Sequence, residues 1–296
     1  MNPYETNPAN IPPTDRHAHA PLYGRYHPSP TDFTPDERHA NSTAPESLKY
    51  WAKVLGMCTR ENRIAPAPEG DREIFAVGSV IVKSSHLTSF DECEYIYNDR
   101  NECAATELAR GVFEATGKKV RVPRIWFAGK INGRSVLIRE RIPGVSLEIA
   151  WPYLSRSQKA SFKGQVRSIL KTLHTVKPPS SLPPPTRSYV VPDPDPTGNH
   201  WIDRLEHVLL FSRENTDPDR GLMHNNASRS NIIVDADEVV ALIDWEMAGF
   251  FGWETARKVH LQVRMPFKAD CVYSPWQEEL EELLFWNDLY DSMLID

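Results

Sequence analysis

The segment at residues 221–250, GLMHNNASRSNIIVDADEVVALIDWEMAGF, constrains the fold more than any other part of the sequence. A histidine and a short polar loop lead into two hydrophobic segments separated by a polar turn at 235–238, which predicts a β-hairpin. Because hairpin strands run antiparallel, Asn231 and Asp244 at its open end should lie side by side. An amide oxygen and a carboxylate at one point suit a hard cation such as Mg²⁺. The sequence therefore predicts a magnesium site there.

Two motifs in this segment resemble the catalytic loop and metal-binding hairpin of the aminoglycoside phosphotransferase and choline kinase superfamily, especially its fungal members. HNNASRSNIIV at 224–234 fits the family pattern H-[GN]-D-x-x-x-x-N-[IL]-[IL]-[VL] except at the aspartate, and IDWEMAG at 243–249 fits I-D-W-E-x-A-G. The interval of 13 residues between Asn231 and Asp244 also matches kinases. The resemblance implies a bilobal protein-kinase-like fold of the α+β class, with a small mixed β-rich N-lobe and a mainly helical C-lobe.

The chain divides into three regions under this interpretation. Residues 1–44 form a proline-rich arm, extended or disordered, because nine prolines in the first 45 residues and few aliphatic side chains leave it no core of its own. Residues 45–143 are the predicted N-lobe, which binds nucleotide. Residues 144–296 are the predicted C-lobe, with the catalytic loop, the metal site and the substrate region. The four histidines of the arm receive no role.

Sequence patterns place the main elements of both lobes. A helix begins near residue 45 with Ser47 in its N-cap region, and residues 73–85 predict two strands joined by a tight turn. A helix at 91–116 and two further strands at 120–144 complete the N-lobe. The C-lobe turns helical, and Ser155 is the predicted cap of the helix that follows it.

The nucleotide site is assigned from the resemblance, which implies ATP as a cofactor beside Mg²⁺. Lys83 ends the second strand and fits the lysine that pairs with nucleotide phosphates. Its glutamate partner is predicted to be Glu102, with Glu107 as the alternative within the register error of a predicted helix. The phosphate loop is sparse, since only Gly70 and Gly78 are available. The hinge residues whose backbone would meet the adenine are Glu140, Arg141 and Ile142.

The catalytic loop departs from the family pattern at one position, where Asn226 replaces the aspartate that orients the acceptor hydroxyl and takes its proton. An amide can orient a hydroxyl but is no base at neutral pH. Loss of a positioned base costs about 10² to 10⁴ in rate. His224 is expected to support the loop through hydrogen bonds and packing. Arg229 and Ser228 are the candidates for contact with phosphate or substrate.

Two function hypotheses follow. The first is an ATP- and Mg²⁺-dependent phosphotransferase acting on a small-molecule hydroxyl, impaired at Asn226 by natural divergence or by engineering. The alternative is a pseudokinase that binds a metabolite or partner without phosphoryl transfer. The acidic segment at 278–282 would suit a cationic substrate, although a solvated face is the commoner role of such a segment. Glu246 and Glu254 could also contact a substrate. Motifs of serine hydrolases, zincins and P-loop proteins are absent from the sequence.

Composition excludes several partners. A formal net charge of -6 argues against nucleic acid, whose binding proteins usually carry concentrated positive charge. The sequence has no stretch apolar enough to span a bilayer and no secretory leader pattern, so we expect a cytoplasmic protein that does not bind membranes. Its four cysteines form no C-x-x-C pair, which favours reduced thiols over a zinc site or disulfides.

Overall fold

The computed structural model describes residues 14–15, 24–65, 72–87, 95–179, 187–192, 204–212, 215, 217–265 and 280–293. Its α-helices are α1 (Pro45–Leu55), α2 (Ile96–Thr116), α3 (Leu147–Ala150), α4 (Arg156–His174), α5 (Arg204–Phe211), α6 (Trp253–Val259) and α7 (Leu280–Asn287). Its strands are β1 (Arg63–Ala65), β2 (Glu73–Val77), β3 (Val80–Ser84), β4 (Ile125–Ile131), β5 (Arg134–Glu140), β6 (Val145–Ser146), β7 (Ser188–Tyr189), β8 (Gly221–Met223), β9 (Ile232–Asp235), β10 (Glu238–Leu242) and β11 (Gly249–Phe251). The predicted two-lobed α+β architecture is confirmed.

The N-terminal lobe is a five-stranded antiparallel sheet in the order β1-β2-β3-β5-β4. Alternation along each strand sends Phe75, Val80 and Val82 to one face, where they pack with Trp51 of α1 in a small core. The other face looks into the cleft between the lobes. The predicted strand pair around the turn at 78–79 is confirmed, and the sheet therefore presents every second side chain to the cleft.

The N-cap of helix α1 lies three residues before the predicted one. Ala44 is the N-cap and Pro45 fills the first turn, where the missing proline N–H costs no hydrogen bond. Ser47 lies inside the helix, buried, with its hydroxyl 3.0 Å from His39 Nδ1. The prediction of Ser47 as the cap was wrong because this serine hydroxyl contacts the preceding segment.

Helix α2 serves both lobes. Its residues Ala105, Ala109 and Phe113 are buried in the larger core of the C-terminal lobe, while Glu102 turns toward the sheet. The helix ends at Gly117, whose φ of 66° is the left-handed conformation typical of a helix C-terminus. Because one helix contacts both lobes, it fixes the position of its carboxylate relative to each of them.

The motif segment at 221–250 lies in the C-terminal lobe. The β9–β10 hairpin forms as expected, and β6 adds a third strand directly after the hinge. Ser155 caps α4 by accepting a hydrogen bond from the Gln158 N–H, which confirms the predicted cap. Trp245, next to Asp244, is fully buried in the lobe core. The aromatic core thus anchors the residue that follows the predicted metal ligand.

Residues 24–44 of the arm, which include a 3₁₀ helix at Glu37–His39, pack against both lobes and the hinge. Tyr26 is only 7% exposed, and its backbone exchanges two hydrogen bonds of 2.8 and 3.1 Å with Gly144. Arg25 forms an ion pair with Asp235 at the tip of the β9–β10 hairpin. The guanidinium of Arg141 lies 4.0 Å from the centre of the Tyr26 ring, a cation–π contact. The arm gains order from the body of the protein rather than from a core of its own.

The same arm continues across the N-terminal lobe. The Ser79 N–H donates to Phe33 O at 2.9 Å, and the Asn41 N–H donates to Trp126 O at 2.8 Å. A Cβ at Gly78 would lie only 2.4 Å from the Phe33 backbone nitrogen, and Gly78 has a φ of 54°. The close approach of the arm therefore requires glycine at this turn. Gly70, the other glycine of the predicted phosphate loop, lies outside the described residues.

The described cysteines are free thiols, and the described helices are not of the membrane-spanning kind. Cys58 and Cys103 are free, and burial raises the pKa of each thiol to about 12, so neither is a reactive thiolate. Cys93 and Cys271 lie outside the described residues. In the part of the chain that the structure describes, no helix combines the length and apolar character needed to cross a bilayer.

Candidate active site

The cleft contains a buried network of three charges from three different elements. Lys83 on β3 donates from Nζ to Glu102 Oε2 at 2.8 Å and to Asp244 Oδ1 at 2.5 Å. Lys83 is 5% exposed and Glu102 is 0% exposed. Glu107, the alternative partner, is exposed on another face of α2. The network joins the sheet, the helix and the end of the hairpin, which are the three elements that the sequence assigned to the site.

Electrostatic interactions keep Lys83 and Asp244 ionised. Burial disfavours the charge on Lys83, but the carboxylates of Asp244 and Glu102 outweigh it and raise the lysine pKa above its usual range. Burial would likewise raise the pKa of Asp244, yet the positive charges of Lys83 and Arg139 hold it well below its usual range. Lys83 is therefore an ammonium and Asp244 a carboxylate at neutral pH.

The predicted metal ligands meet at the open end of the hairpin. Asn231 Nδ2 lies 3.5 Å from Asp244 Oδ2 and donates to the Asn226 carbonyl at 3.0 Å. Carboxylate oxygens of Glu102, Asp244 and Glu246 lie within 4.8 Å of one another. This oxygen-rich set fits a hard divalent cation such as Mg²⁺. The side chains of Asn231 and Asp244 also contact Asn226 of the catalytic loop.

Glu246 belongs to this acidic group and lies 3.9 Å from Lys83 Nζ. Burial, together with the nearby carboxylates of Asp244 and Glu102, raises its pKa to about 7 against the opposing charge of Lys83. The sequence offered Glu246 as a substrate contact or a structural residue of the motif. The structure places it on the lysine side of the cleft. Glu254, the other glutamate considered, instead forms an ion pair with Arg257 on α6.

His224 lies at the centre of the catalytic loop and is fully buried. Its Nε2 lies 3.0 Å from Ile243 O, and its Nδ1 lies 3.3 Å from the Asn226 backbone N–H. These partners require Nε2 to donate and Nδ1 to accept, which is a neutral tautomer. Burial lowers the pKa of His224 to about 4, and the ring packs edge-on against Trp245 with centroids 4.5 Å apart. The histidine ties the loop to the hairpin by hydrogen bonds and packing.

Asn226 stands next to the predicted metal site, at the position expected from the motif. Its Nδ2 is 3.5 Å from Asp244 Oδ2, a longer separation than an ordinary hydrogen bond. The preceding residue, Asn225, has a φ of 63°, a left-handed conformation that asparagine tolerates better than most residues. The loop thus presents a neutral amide where a carboxylate would complete a proton-accepting site.

A cavity of about 300 Å³ runs from the hinge to Asp244, and Glu140, Arg141 and Ile142 all line it. The Glu140 N–H already donates to Arg124 O at 2.8 Å, and the Arg141 N–H to Ser79 O at 2.9 Å. Two of the three predicted hinge amides are therefore already hydrogen-bonded within the protein. Of the three, the Ile142 N–H remains to donate a hydrogen bond to an adenine ring nitrogen. Sequence reasoning missed that the arm also lines this cavity.

A second cavity of about 430 Å³ lies on the other side of the catalytic loop. Asn226, Ser228 and Arg229 line it together with Glu148 and Arg264. Asp244 lines it as well, so its described lining contains two arginines and two carboxylates. The cavity places the predicted substrate contacts in one space with the catalytic position. The acidic residues at 278–279 lie outside the described residues.

Asn101 supports the lysine side of the cleft, and sequence reasoning missed it. Its Nδ2 donates to Glu246 O at 2.7 Å and to Ala248 O at 2.9 Å, while its Oδ1 accepts from the Val191 N–H at 2.9 Å. The side chain therefore joins α2 to the segment just after Asp244. No local pattern could reveal this role, because all three partners are at least 90 residues away along the chain.

Comparisons with known proteins agree with the sequence motifs. The profile of the family described as "Phosphotransferase enzyme family" matches residues 102–250, half of the chain. The streptomycin–ATP ternary complex of APH(2")-IIa is similar at 16% identity and a TM-score of 0.44, covering 75% of this chain and 76% of that one. ADP-bound aminoglycoside phosphotransferase APH(2'')-Ib is similar at 14% identity and a TM-score of 0.44, covering 84% and 99%. These structural likenesses add nothing to the family match. No curated protein matches the chain.

Proposed function

The chain belongs to the phosphotransferase enzyme family, and we propose that it transfers the terminal phosphoryl group of ATP to a hydroxyl of a small molecule, slowly because Asn226 is no base. The observation that carries this proposal is the buried Lys83 ammonium held between Glu102 and Asp244. Burying three charges is costly, and the arrangement holds the ammonium against Asp244, which lines the cavity end where phosphates would lie.

Each group of residues in the cleft would have a separate role in this reaction. Lys83 would pair with phosphate oxygens, and Glu102 keeps its ammonium in place. Asn231 and Asp244 would hold Mg²⁺, which when bound neutralises charge on the phosphates. The hinge at 140–142 would receive the base. Arg229 and Ser228 line the neighbouring cavity and would contact the acceptor or the transferred group.

Asn226 limits the reaction at one step. Its side chain can orient the acceptor hydroxyl by a hydrogen bond, but the amide cannot accept the proton that leaves as the new bond forms. The buried His224 is no replacement, because both ring nitrogens already have partners in the protein. This arrangement also favours the second candidate function, a pseudokinase that binds nucleotide or metabolite and transfers no phosphate.

Nucleotide binding and transfer can be tested separately. We expect ATP to raise the melting temperature of the protein more in the presence of Mg²⁺ than with a chelator. Radiolabelled ATP and a panel of hydroxyl-bearing metabolites would then be incubated with the chain as given and with Asn226→Asp. Slow transfer by the parent chain and much faster transfer by the variant would support the proposal, and transfer by the variant alone would indicate a silenced phosphotransferase. If ATP gives no Mg²⁺-dependent stabilisation, the nucleotide site is wrong; if binding occurs but Asn226→Asp transfers nothing, the pseudokinase role replaces the proposal.

A further inference from the structure

Arg139 is a buried cation in the predicted nucleotide cavity that sequence reasoning did not assign. It lies on β5, is 4% exposed and pairs across the sheet with Ile81, two residues from Lys83. Because side chains alternate along a strand, Ile81, Lys83 and Arg139 share the face that looks into the cleft. Arg139 is also one of the residues that line the cavity between hinge and Asp244.

Among the residues that the structure describes, none accepts a hydrogen bond or forms an ion pair with Arg139, and its buried Nε has no partner. Another buried arginine differs at its terminal nitrogens: those of Arg72, which is 7% exposed, bind both carboxylate oxygens of Asp99 at 2.8 and 2.9 Å. A buried charge without a hydrogen-bonded partner is strongly unfavourable. Such a group in a cavity lining indicates a ligand that supplies the missing acceptor.

The surroundings of Arg139 narrow the chemistry of that ligand. Its positive charge helps to hold the pKa of Asp244 low, so the guanidinium lies within electrostatic reach of the metal-binding end. Asp244 is already engaged by Lys83 at 2.5 Å. Since no described residue accepts from Arg139, a molecule bound in the cavity would supply acceptor atoms with free electron pairs. Purine ring nitrogens and oxygens and phosphate oxygens all meet this requirement.

We propose that Arg139 is a nucleotide-binding residue whose guanidinium donates hydrogen bonds to acceptor atoms of the bound nucleotide. The inference rests on the proposed function in that it takes the occupant of the cavity to be a nucleotide. The acceptor atoms belong to the purine ring or to the phosphates. In the free protein the buried charge of Arg139 lowers the free energy of unfolding. A bound nucleotide supplies the hydrogen-bond acceptors that the guanidinium lacks.

Arg139→Met separates this role from a structural one. Methionine is unbranched, flexible and apolar, so it can fill the space without a buried charge. We expect the nucleotide-free variant to melt at the same temperature as the parent chain or higher, and to bind ADP with Mg²⁺ at least about tenfold more weakly, since hydrogen bonds from a charged group are lost. Arg72→Met is the matched control: it removes a paired buried arginine and should lower the melting temperature.

Three probes, ADP, GDP and adenosine, identify the acceptor atoms by titration calorimetry. A loss confined to ADP and GDP assigns the phosphates, whereas a loss that includes adenosine assigns the purine ring; both outcomes support the proposal. An unchanged affinity for all three, or a fall in melting temperature as large as that of Arg72→Met, would overturn it. If the parent chain binds none of the probes, the proposed function fails and this inference fails with it.

Discussion

The two ends of the cleft are built on different principles. At the lysine end, Lys83, Glu102 and Asp244 are full charges held together at 2.5 to 2.8 Å. At the catalytic-loop end, His224 and Asn226 are neutral, and their hydrogen-bonding contacts range from 3.0 to 3.5 Å. A buried charge network requires every member, because removal of one leaves the others uncompensated. A half-buried carboxylate can be replaced by an amide without such a penalty. The fold therefore requires charged side chains at the lysine end and tolerates a neutral one at the catalytic-loop end.

Charging the neutral end should have the largest effect. Asn226→Asp restores a proton acceptor, so we expect phosphoryl transfer to rise by about 10² to 10⁴, roughly 3 to 5 kcal/mol of barrier. The rise should need Mg²⁺, because the new carboxylate would face Asp244 Oδ2 across about the 3.5 Å now spanned by the amide. Single-turnover measurements with ATP would show it.

A matched control tests whether charge alone produces this gain. Ser228→Asp adds the same carboxylate to the same cavity, two residues away. It should not increase transfer, because its position differs from the one that the motif assigns. Equal gains from both variants would mean that position is unimportant and would remove the contrast between the two ends.

Removing charge from the lysine end should destabilise the fold. Lys83→Met leaves Glu102, which is 0% exposed, as an unpaired buried carboxylate, and we expect a loss of about 3 to 5 kcal/mol in the free energy of unfolding. Urea denaturation measures it. The double variant Lys83→Met with Glu102→Leu should recover most of this stability, since both charges are gone. A single variant as stable as the parent would show that the network does not require its members.

The support of the lysine end should matter less than its charges. Asn101→Ala removes three hydrogen bonds between α2 and distant backbone groups. We expect a loss of about 1 to 3 kcal/mol, because buried backbone groups lose their partner. Glu107→Ala, an exposed change on the same helix, is the control and should alter stability little. Equal denaturation midpoints for the two variants would contradict a bridging role for Asn101.

Acid should destabilise the fold through His224 at the neutral end. The pKa of His224 is about 4 when folded and 6.5 ordinarily, so between these values the unfolded chain binds a proton that the folded chain refuses. His224 therefore lowers the free energy of unfolding as pH drops from 6.5 to 4, by about 1.4 kcal/mol per pH unit, whereas Glu246, with its pKa raised from 4.5 to about 7, contributes the opposite slope between those two values. His260, whose pKa burial also lowers to about 4, adds to the slope.

Replacing His224 isolates its share of this pH dependence. His224→Gln should reduce the slope of unfolding free energy against pH by about one proton, measured by denaturation at several pH values. His27→Gln, on the exposed part of the arm, should leave the slope as it is. A slope unchanged by His224→Gln would mean that acid acts elsewhere in the protein.

Local patterns predicted the parts of the site that depend on local structure. The β9–β10 hairpin, its motif residues and the Ser155 cap follow from alternation, turn chemistry and capping within a few residues. The pairing of Asn231 with Asp244 followed because a hairpin brings its own ends together. The choice between Glu102 and Glu107 stayed open, because a shift of helix register exchanges the faces and only packing against both lobes fixes it.

The sequence by itself determined the family motifs, the hairpin, the lysine and the asparagine at the catalytic position, since each is written in contiguous residues. Only the tertiary structure decided that the arm crosses the hinge at Tyr26, that Asn101 joins α2 to the hairpin and that Arg139 has no acceptor among the described residues. These features depend on contacts between segments far apart in the chain. Neither residue spacing nor composition carries that information, because burial and hydrogen bonding are settled only when the lobes pack.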